Sequence, residues 1–312
     1  MGVSVNTRAA PLSDARAMPL RRVLKIVILV RYRFFLYAGL MPYLLGTVWG
    51  YATARAFDAS IFWSALAGVV LAVVGVEAFN EYFDSRLGSD RVFNPEDLPP
   101  MSVVVFRIGV AAFAGALAIG GYLTWRCGWP ILGFAVLGGL AAIFYAAPPI
   151  RWAYRGLGEL VIGLSYGPWL VLGSVYLQTQ HITGGAFLAS LVPGLLVMAL
   201  AVVNAIPDFQ QDRLVGKRNL VVRLGRRRAV GLYVGLAGTG LGVACVGAIV
   251  GEFPHACLAV LLAVPLLVTS ARRARLTYEH PRRFAPAIRS ILLCYMLAVA
   301  LFALGIASPV WR

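Results

Sequence analysis

Nine apolar stretches separated by short charged loops leave this chain little choice of solvent. They lie near 34–54, 58–80, 103–124, 129–147, 157–177, 184–206, 229–251, 255–271 and 288–308. A helix needs about 20 residues to cross about 30 Å of hydrocarbon, and most of these stretches are that long. The residues between them do not make up the balance, since 60% of the 312 residues are hydrophobic and 13% charged. Soluble domains carry about 25% charged residues. The expected fold is therefore all-α, a polytopic membrane protein with nine transmembrane helices. The 33 glycines fit that reading, because small residues let helices approach closely in a bilayer.

Nine spans put the termini on opposite sides, and the basic residues choose between the sides. One side receives the N-terminal tail and the loops holding Arg86 and Arg91, Arg151 and Arg155, Arg213 to Arg228, and Arg272 to Arg283. The other receives Arg55, Arg126 and Arg312. Loops rich in Lys and Arg stay inside, so the N-terminus and the four long loops are expected on the cytoplasmic side of the cell inner membrane. This topology signal, with contact to anionic membrane lipid, accounts for most of the net charge of +15, and nucleic acid is not an expected partner. Residues 1–20 are polar and rich in Pro, Ala and Arg. They read as a partly disordered tail and not a cleaved signal peptide, leaving 21–312 as one membrane domain. Leu20 to Val30, with Arg21, Arg22 and Lys25 among aliphatic residues, reads as a helix at the membrane surface. Cys127, Cys245, Cys257 and Cys294 form no CxxC pair, and His181, His255 and His280 are isolated. Free structural thiols are expected, with no zinc or haem site.

Most of the acidic residues gather in two of the cytoplasmic loops. The second span ends in Asn80-Glu81-Tyr82-Phe83-Asp84 and continues to Asp90; the sixth ends in Asn204-Ala205-Ile206-Pro207-Asp208 and continues to Asp212. Asn80 and Asp84 are four apart and would share a helix face, as would Asn204, Asp208 and Asp212. Gly88 is placed to end the second helix and let Asp90 fold back toward the same pocket. Two facing carboxylate clusters repel unless a cation sits between them. Mg²⁺ favours one or two carboxylates together with phosphate oxygens and water. Arg86, Arg151, Arg155, Lys217 and Arg218 stand nearby to hold further anionic oxygens. The design suits a diphosphate leaving group. Glu77, about one turn inside the second span, should face a polar cavity or another helix.

The same residues carry a resemblance. The Asn80–Asp90 and Asp208–Asp212 motifs, on spans two and six of nine, resemble those of the UbiA superfamily of intramembrane prenyltransferases. The stretch from Asp208 to Gly225, with Gly-Lys-Arg-Asn-Leu-Val-Val-Arg-Leu-Gly after the second Asp motif, is similar to the family's own continuation. The stretch from Tyr145 to Glu159 resembles its loop between spans four and five. The likeness runs from about Arg31 onward. Within the superfamily, the Asn-Glu-Tyr-Phe-Asp wording and the five-residue gap between Asp84 and Asp90 are most like the 1,4-dihydroxy-2-naphthoate, or menaquinone, branch. Residues 91–100, which add Glu96 and Asp97, depart from the Gly-rich stretch of the family.

The resemblance implies nine helices enclosing a central cavity with a cytoplasmic cap. It implies transfer of an isoprenyl group from an isoprenyl diphosphate to a small aromatic acceptor, 1,4-dihydroxy-2-naphthoate or a related quinone precursor, with Mg²⁺ as cofactor. On that reading Asn80, Asp84, Asp90, Asp208 and Asp212 hold the metal, and Asp84, Asp208, Tyr145 and Arg151 are catalytic. Lys217, Arg218, Arg86 and Asn204 complete the diphosphate site, with Lys217 and Arg151 in direct phosphate contact. Tyr145, Trp152, Tyr154, Tyr166 and Trp169 would wall a dry site for an allylic cation. Two alternatives stay open. A terpene cyclase would use the same diphosphate site without an acceptor. A cation-coupled transporter would place its carboxylates near the bilayer midplane and not at the ends of spans.

Overall fold

The computed structural model describes residues 39–55, 57–87 and 102–308. The N-terminal tail, the expected surface helix and Asp90, Glu96 and Asp97 lie outside them. The described chain is helical throughout. The first helix, α1, spans Met41–Ala54. Asp58 opens α2, Ala59–Leu87, by accepting the Ser60 and Ile61 N–H groups at 2.8 and 3.1 Å. At 29 residues α2 is about 43 Å long, more than the roughly 30 Å thickness of the hydrocarbon. Ser102 caps α3, Val103–Cys127, and Pro130 opens α4, Pro130–Ile143. Prolines fit the first turn of a helix because the N–H they lack would be unpaired there.

The fifth expected span is broken into two. Helix α5, Gly158–Leu164, passes through a widened turn at Ser165–Trp169 into α6, Leu170–Thr179. Pro168 lacks the N–H the ladder needs, and Gly167, at φ −101° and ψ −105°, takes up the bend. The bend meets α7, Gly184–Ala205, at close quarters: a Cβ on Gly167 would lie 2.6 Å from the Gly194 Cα. The remaining elements are α8, Phe209–Leu214; α9, Leu220–Leu224; α10, Arg226–Ile249; a 3₁₀ segment, His255–Ala263, leading into α11, Val264–Thr277; and α12, Pro281–Ile306.

Seven helical stretches among the described residues are long and apolar enough to cross a membrane, running from Ala59–Arg86 through Pro281–Ile306. The first and fourth expected spans appear as 14-residue helices, α1 and α4. Expected span four stops four residues earlier than expected, since the chain turns at Phe144 ahead of the cis Pro148–Pro149 bond. The main core joins α1, α6, α7, α10, α11 and α12 through residues such as Trp49, Leu196, Tyr233, Phe284 and Phe302. A smaller cluster of Tyr43, Ile61, Leu123, Ile131 and Leu177 ties the ends of α1, α2, α3, α4 and α6. All four cysteines are free.

Candidate active site

Between α2, α3, α4, the α5–α6 segment and α7 lies a cavity of about 940 Å³. Ala65 and Asp84 both line it; 19 residues apart on one helix, they are about 28 Å apart along the axis. One end is apolar, closed by Tyr43, Leu123 and Leu177. The other end is polar, formed by Asn80, Asp84, Asn204, Asp208, Asp212 and Lys217. Asn80 and Asp84 of the first motif and Asp208 and Asp212 of the second therefore meet at this mouth.

Asn204, Asp208 and Asp212 do not share the face of one helix. Pro207 interrupts the chain: α7 stops at Ala205, and α8 begins at Phe209 after a turn. Asp212 nevertheless returns to the cavity beside Asp208, because the turn folds α8 across the mouth. There Lys217 bridges the two motifs, its Nζ 3.3 Å from Asp84 Oδ1 and 3.6 Å from Asp212 Oδ1. The Asn219 Nδ2 donates to Asp212 Oδ2 at 2.6 Å, and its Oδ1 accepts the Val222 N–H at 2.8 Å, capping α9. The Tyr154 hydroxyl donates to Asp84 Oδ1 at 3.5 Å.

The electrostatics are those of a site with more carboxylate than ammonium. Burial lowers the Lys217 pKa, but Asp84 and then Asp212 outweigh it, so the ammonium is held above its ordinary value. The Asp212 carboxyl is pushed up, by burial first; Lys217 opposes that shift and neighbouring Asp208 adds to it. Both groups are thus raised, Lys217 because the carboxylates beside it outweigh its burial and Asp212 because its burial outweighs the ammonium.

Hard oxygen donors are in place for a divalent cation. The Asn80 Oδ1 is buried without a hydrogen-bond partner among the described residues, an expensive arrangement unless something else fills its coordination. No three His, Cys, Asp or Glu side chains converge tightly enough among the described residues to hold a metal alone.

Tyr145, Tyr166 and Trp169 line the cavity as expected; Trp152 and Tyr154 do not. Arg151, Arg86 and Arg218 also stand off its walls. Arg151, in a left-handed backbone conformation, stacks over the Tyr154 ring at 4.5 Å, and Arg86 over Tyr82 at 4.3 Å. Arg151 thus reaches the site through Tyr154. Arg218 is exposed, with its N–H donating to the Tyr154 carbonyl. Sequence reasoning missed Asn219, Glu159, Phe113 and Phe134, all cavity-lining. Asn219 left a readable trace, an amide one residue before a short apolar run, the pattern of a helix cap.

Residues 40–292 match the UbiA prenyltransferase family. The chain belongs to that family. It is 30% identical over 266 residues to the 1,4-dihydroxy-2-naphthoate octaprenyltransferase of Mycobacterium tuberculosis, covering 80% of this chain and 88% of that one. With the Bacillus subtilis protein of the same description it is 27% identical over 203 residues, covering 62% of this chain and 64% of that one, just short of two thirds of its length. The fold agrees with an apo UbiA homolog from Aeropyrum pernix, at a TM-score of 0.62 and 18% identity, over 85% of this chain and 97% of that one. A UbiA homolog from Archaeoglobus fulgidus bound to DMAPP and Mg²⁺ matches at 0.57 and 15%, over 88% and 99%. The superfamily expected from the motifs is found, relatives described by the expected 1,4-dihydroxy-2-naphthoate activity are among the matches, and the long apolar helices fit a multi-pass membrane setting.

Proposed function

We propose that the protein transfers a polyprenyl group from its diphosphate to 1,4-dihydroxy-2-naphthoate or a related quinone precursor, at the cytoplasmic face of the inner membrane. The observation that carries this reading is the meeting of Asp84 on α2 with Asp212 on α8, across Lys217, at the polar mouth of a long apolar cavity. The descriptions of the M. tuberculosis and B. subtilis relatives support the acceptor class. The A. fulgidus homolog bound to DMAPP and Mg²⁺ supports the donor and the metal.

Asn80, Asp84, Asp208 and Asp212 would hold Mg²⁺ jointly with phosphate oxygens, the donor mixture this ion prefers, and Asp90 joins the proposed set. When bound, the metal neutralises charge on the diphosphate as the allylic C–O bond breaks. Lys217, kept protonated, aims its ammonium donors at the same oxygens. The diphosphate departs with the bonding electrons, and a ring carbon of the acceptor forms the new C–C bond. That carbon then gives up the proton it carried to the released diphosphate or to water at the polar mouth, or its carboxyl group as CO2, which restores the aromatic ring. The apolar walls keep water from taking the allylic carbon first. Tyr145, Tyr166 and Trp169 present electron-rich faces to the positive charge.

Nine spans with the N-terminus and the cap inside go with this reading. Phe209, Arg226 to Arg228, Tyr278 and Glu279 line one surface cleft, so the Arg-rich loops gather at the same end as the second Asp motif, the pattern of a cytoplasmic face. At the opposite end Arg126 pairs with Asp58 at 3.4 Å. The test is mass spectrometry of products from purified protein given farnesyl or geranylgeranyl diphosphate, Mg²⁺ and 1,4-dihydroxy-2-naphthoate. A prenylated naphthalenoid product is expected. A cyclic hydrocarbon or alcohol formed without acceptor would overturn the reading in favour of a cyclase.

A further inference from the structure

Glu159, the second residue of α5, is only 4% exposed and belongs to the cavity wall. Carboxylates are rarely buried so fully without partners. Its Oε1 accepts the Leu220 N–H at 3.0 Å, while Oε2 is buried with no hydrogen-bond partner among the described residues. What Glu159 does for its polar surroundings therefore passes through Oε1. Leu220 directly follows Asn219, which donates to Asp212, and stands three residues after Lys217. The Lys217 N–H itself donates to the Asp212 carbonyl at 2.8 Å. The other end of the tie is firmly seated. A Cβ on neighbouring Gly158 would fall 2.9 Å from the Ala153 Cα and 3.3 Å from the Tyr145 ring, so α5 begins hard against the Tyr145–Tyr154 loop.

We propose that Glu159 is a positioning residue, a tether from the bundle wall that sets where Lys217 and Asn219 meet Asp84 and Asp212. Packing alone would not require a carboxylate here, and the backbone bond falls at the one step of the loop that follows both site residues. Its kinetic consequence rests on the diphosphate reading above; the tether itself does not.

Two readouts separate the two claims. Hydrogen exchange of the segment spanning 217–224, in substrate-free protein, reads the tether. Steady-state kinetics with geranylgeranyl diphosphate and Mg²⁺ read its use. Glu159→Ala should raise the exchange rate of the segment about tenfold, the equivalent of one lost hydrogen bond. It should raise KM for the diphosphate by a similar factor and leave kcat within about threefold. Glu159→Gln keeps an acceptor oxygen and should restore both. Leu220→Pro removes the donor instead, at a first helical position that tolerates proline, after Asn219 at φ −62° and ψ 172°. It should reproduce the Glu159→Ala change in KM, and the double variant should be no worse than either single one. Unchanged exchange in Glu159→Ala overturns the tether. Faster exchange with an unchanged KM, or an additive double variant, reduces Glu159 to a structural part. A Gln variant as impaired as the Ala variant assigns the effect to charge and also overturns the proposal. A wild-type protein that binds and turns over no diphosphate counts against the functional reading instead, and exchange still decides the tether.

Discussion

Helices α2 and α7 are almost equally apolar, with mean hydropathies of 2.2 and 2.5 over their most apolar windows, yet they do opposite jobs. In α7, 67% of that window is buried inside the protein; in α2 the share is 22%, and in α3 it is 17%. Helix α7 sits between α1, the α5–α6 bend, α10 and α12, and gives Ala189, Val192, Leu196 and Val203 to the main core. Helices α2 and α3 wall a cavity on one side and turn an apolar, exposed face outward on the other. Hydropathy registers only that both avoid water. What distinguishes scaffold from wall is whether protein or a ligand lies behind the apolar face.

The strongest way to break this contrast is to remove a carboxylate from the mouth of the cavity and ask which half responds. Asp84→Ala or Asp208→Ala should cut Mg²⁺-dependent turnover by about a thousandfold, equivalent to about 4 kcal/mol of transition-state stabilisation. Neither side chain belongs to the packed core, so the thermal midpoint in detergent should stay close to that of the wild type. Product formation and a thermal scan on the same sample check it. Turnover within tenfold of wild type in either variant would remove that residue from the site.

The reverse experiment loads the scaffold. Gly167→Leu drives a side chain into Gly194 and the Ser190 carbonyl, where even a Cβ would come within 2.6 and 2.9 Å of backbone atoms. Backbone cannot step aside as a side chain can, so the cost should reach the upper end of overpacking, about 3 kcal/mol or more. The expected result is loss of the monodisperse peak on size exclusion. A folded, active Gly167→Leu protein would mean that the α5–α6 bend and α7 are not rigidly coupled.

How far the sequence could be read follows the same division. The apolar runs announced their helices, because length and hydropathy are local properties. The Asp motifs pointed to one end of the molecule, and Asp84, Asp208 and Asp212 do meet at the polar mouth of the cavity. Long-range geometry was not legible. The break at Pro207 was written in the sequence, but a carboxylate period of four argued for one continuous helix, and only the fold of α8 across the mouth shows how Asp212 comes back. Arg151 was expected at the phosphates by charge and position; its guanidinium lies over the Tyr154 ring, a placement its left-handed backbone conformation did not advertise in the sequence. Glu159 gave no sign because a single Glu early in an apolar helix is commonplace; its meaning lies in a partner 61 residues away.

A subtler probe sets the needs of the site against the stability of the fold. The Asp212 carboxyl is raised above its ordinary value of 3.8, chiefly by burial. As pH climbs upward from that value the folded protein holds a proton the unfolded chain has released, so stability falls through the window and the ionised form is a standing cost at neutral pH. Asp212→Asn removes that cost and keeps an acceptor for Asn219. Its thermal midpoint should be unchanged or higher at about pH 7.5, with the advantage shrinking toward about pH 4, while Mg²⁺-dependent turnover drops. A variant that loses more stability at neutral than at acid pH would show that the ionised carboxylate is a net support of the fold.

The smallest effect on stability should come from the wall. Gly138 and Gly139 on α4 both line the cavity, and a Cβ built on either meets nothing within 4 Å. Gly138→Leu should therefore leave the thermal midpoint within the range of a surface change, about 0.5 kcal/mol, in contrast to Gly167→Leu. The added side chain occupies volume that a prenyl tail would use. Each methylene that no longer fits costs about 1–3 kcal/mol of discrimination, so the ratio of kcat/KM for geranylgeranyl over geranyl diphosphate should fall by about tenfold or more. Competition between the two diphosphates, read by product mass, gives the ratio directly. If Gly138→Leu lowers stability as Gly167→Leu does, α4 is scaffold after all. If it changes neither stability nor the ratio, the prenyl tail runs elsewhere than along α4.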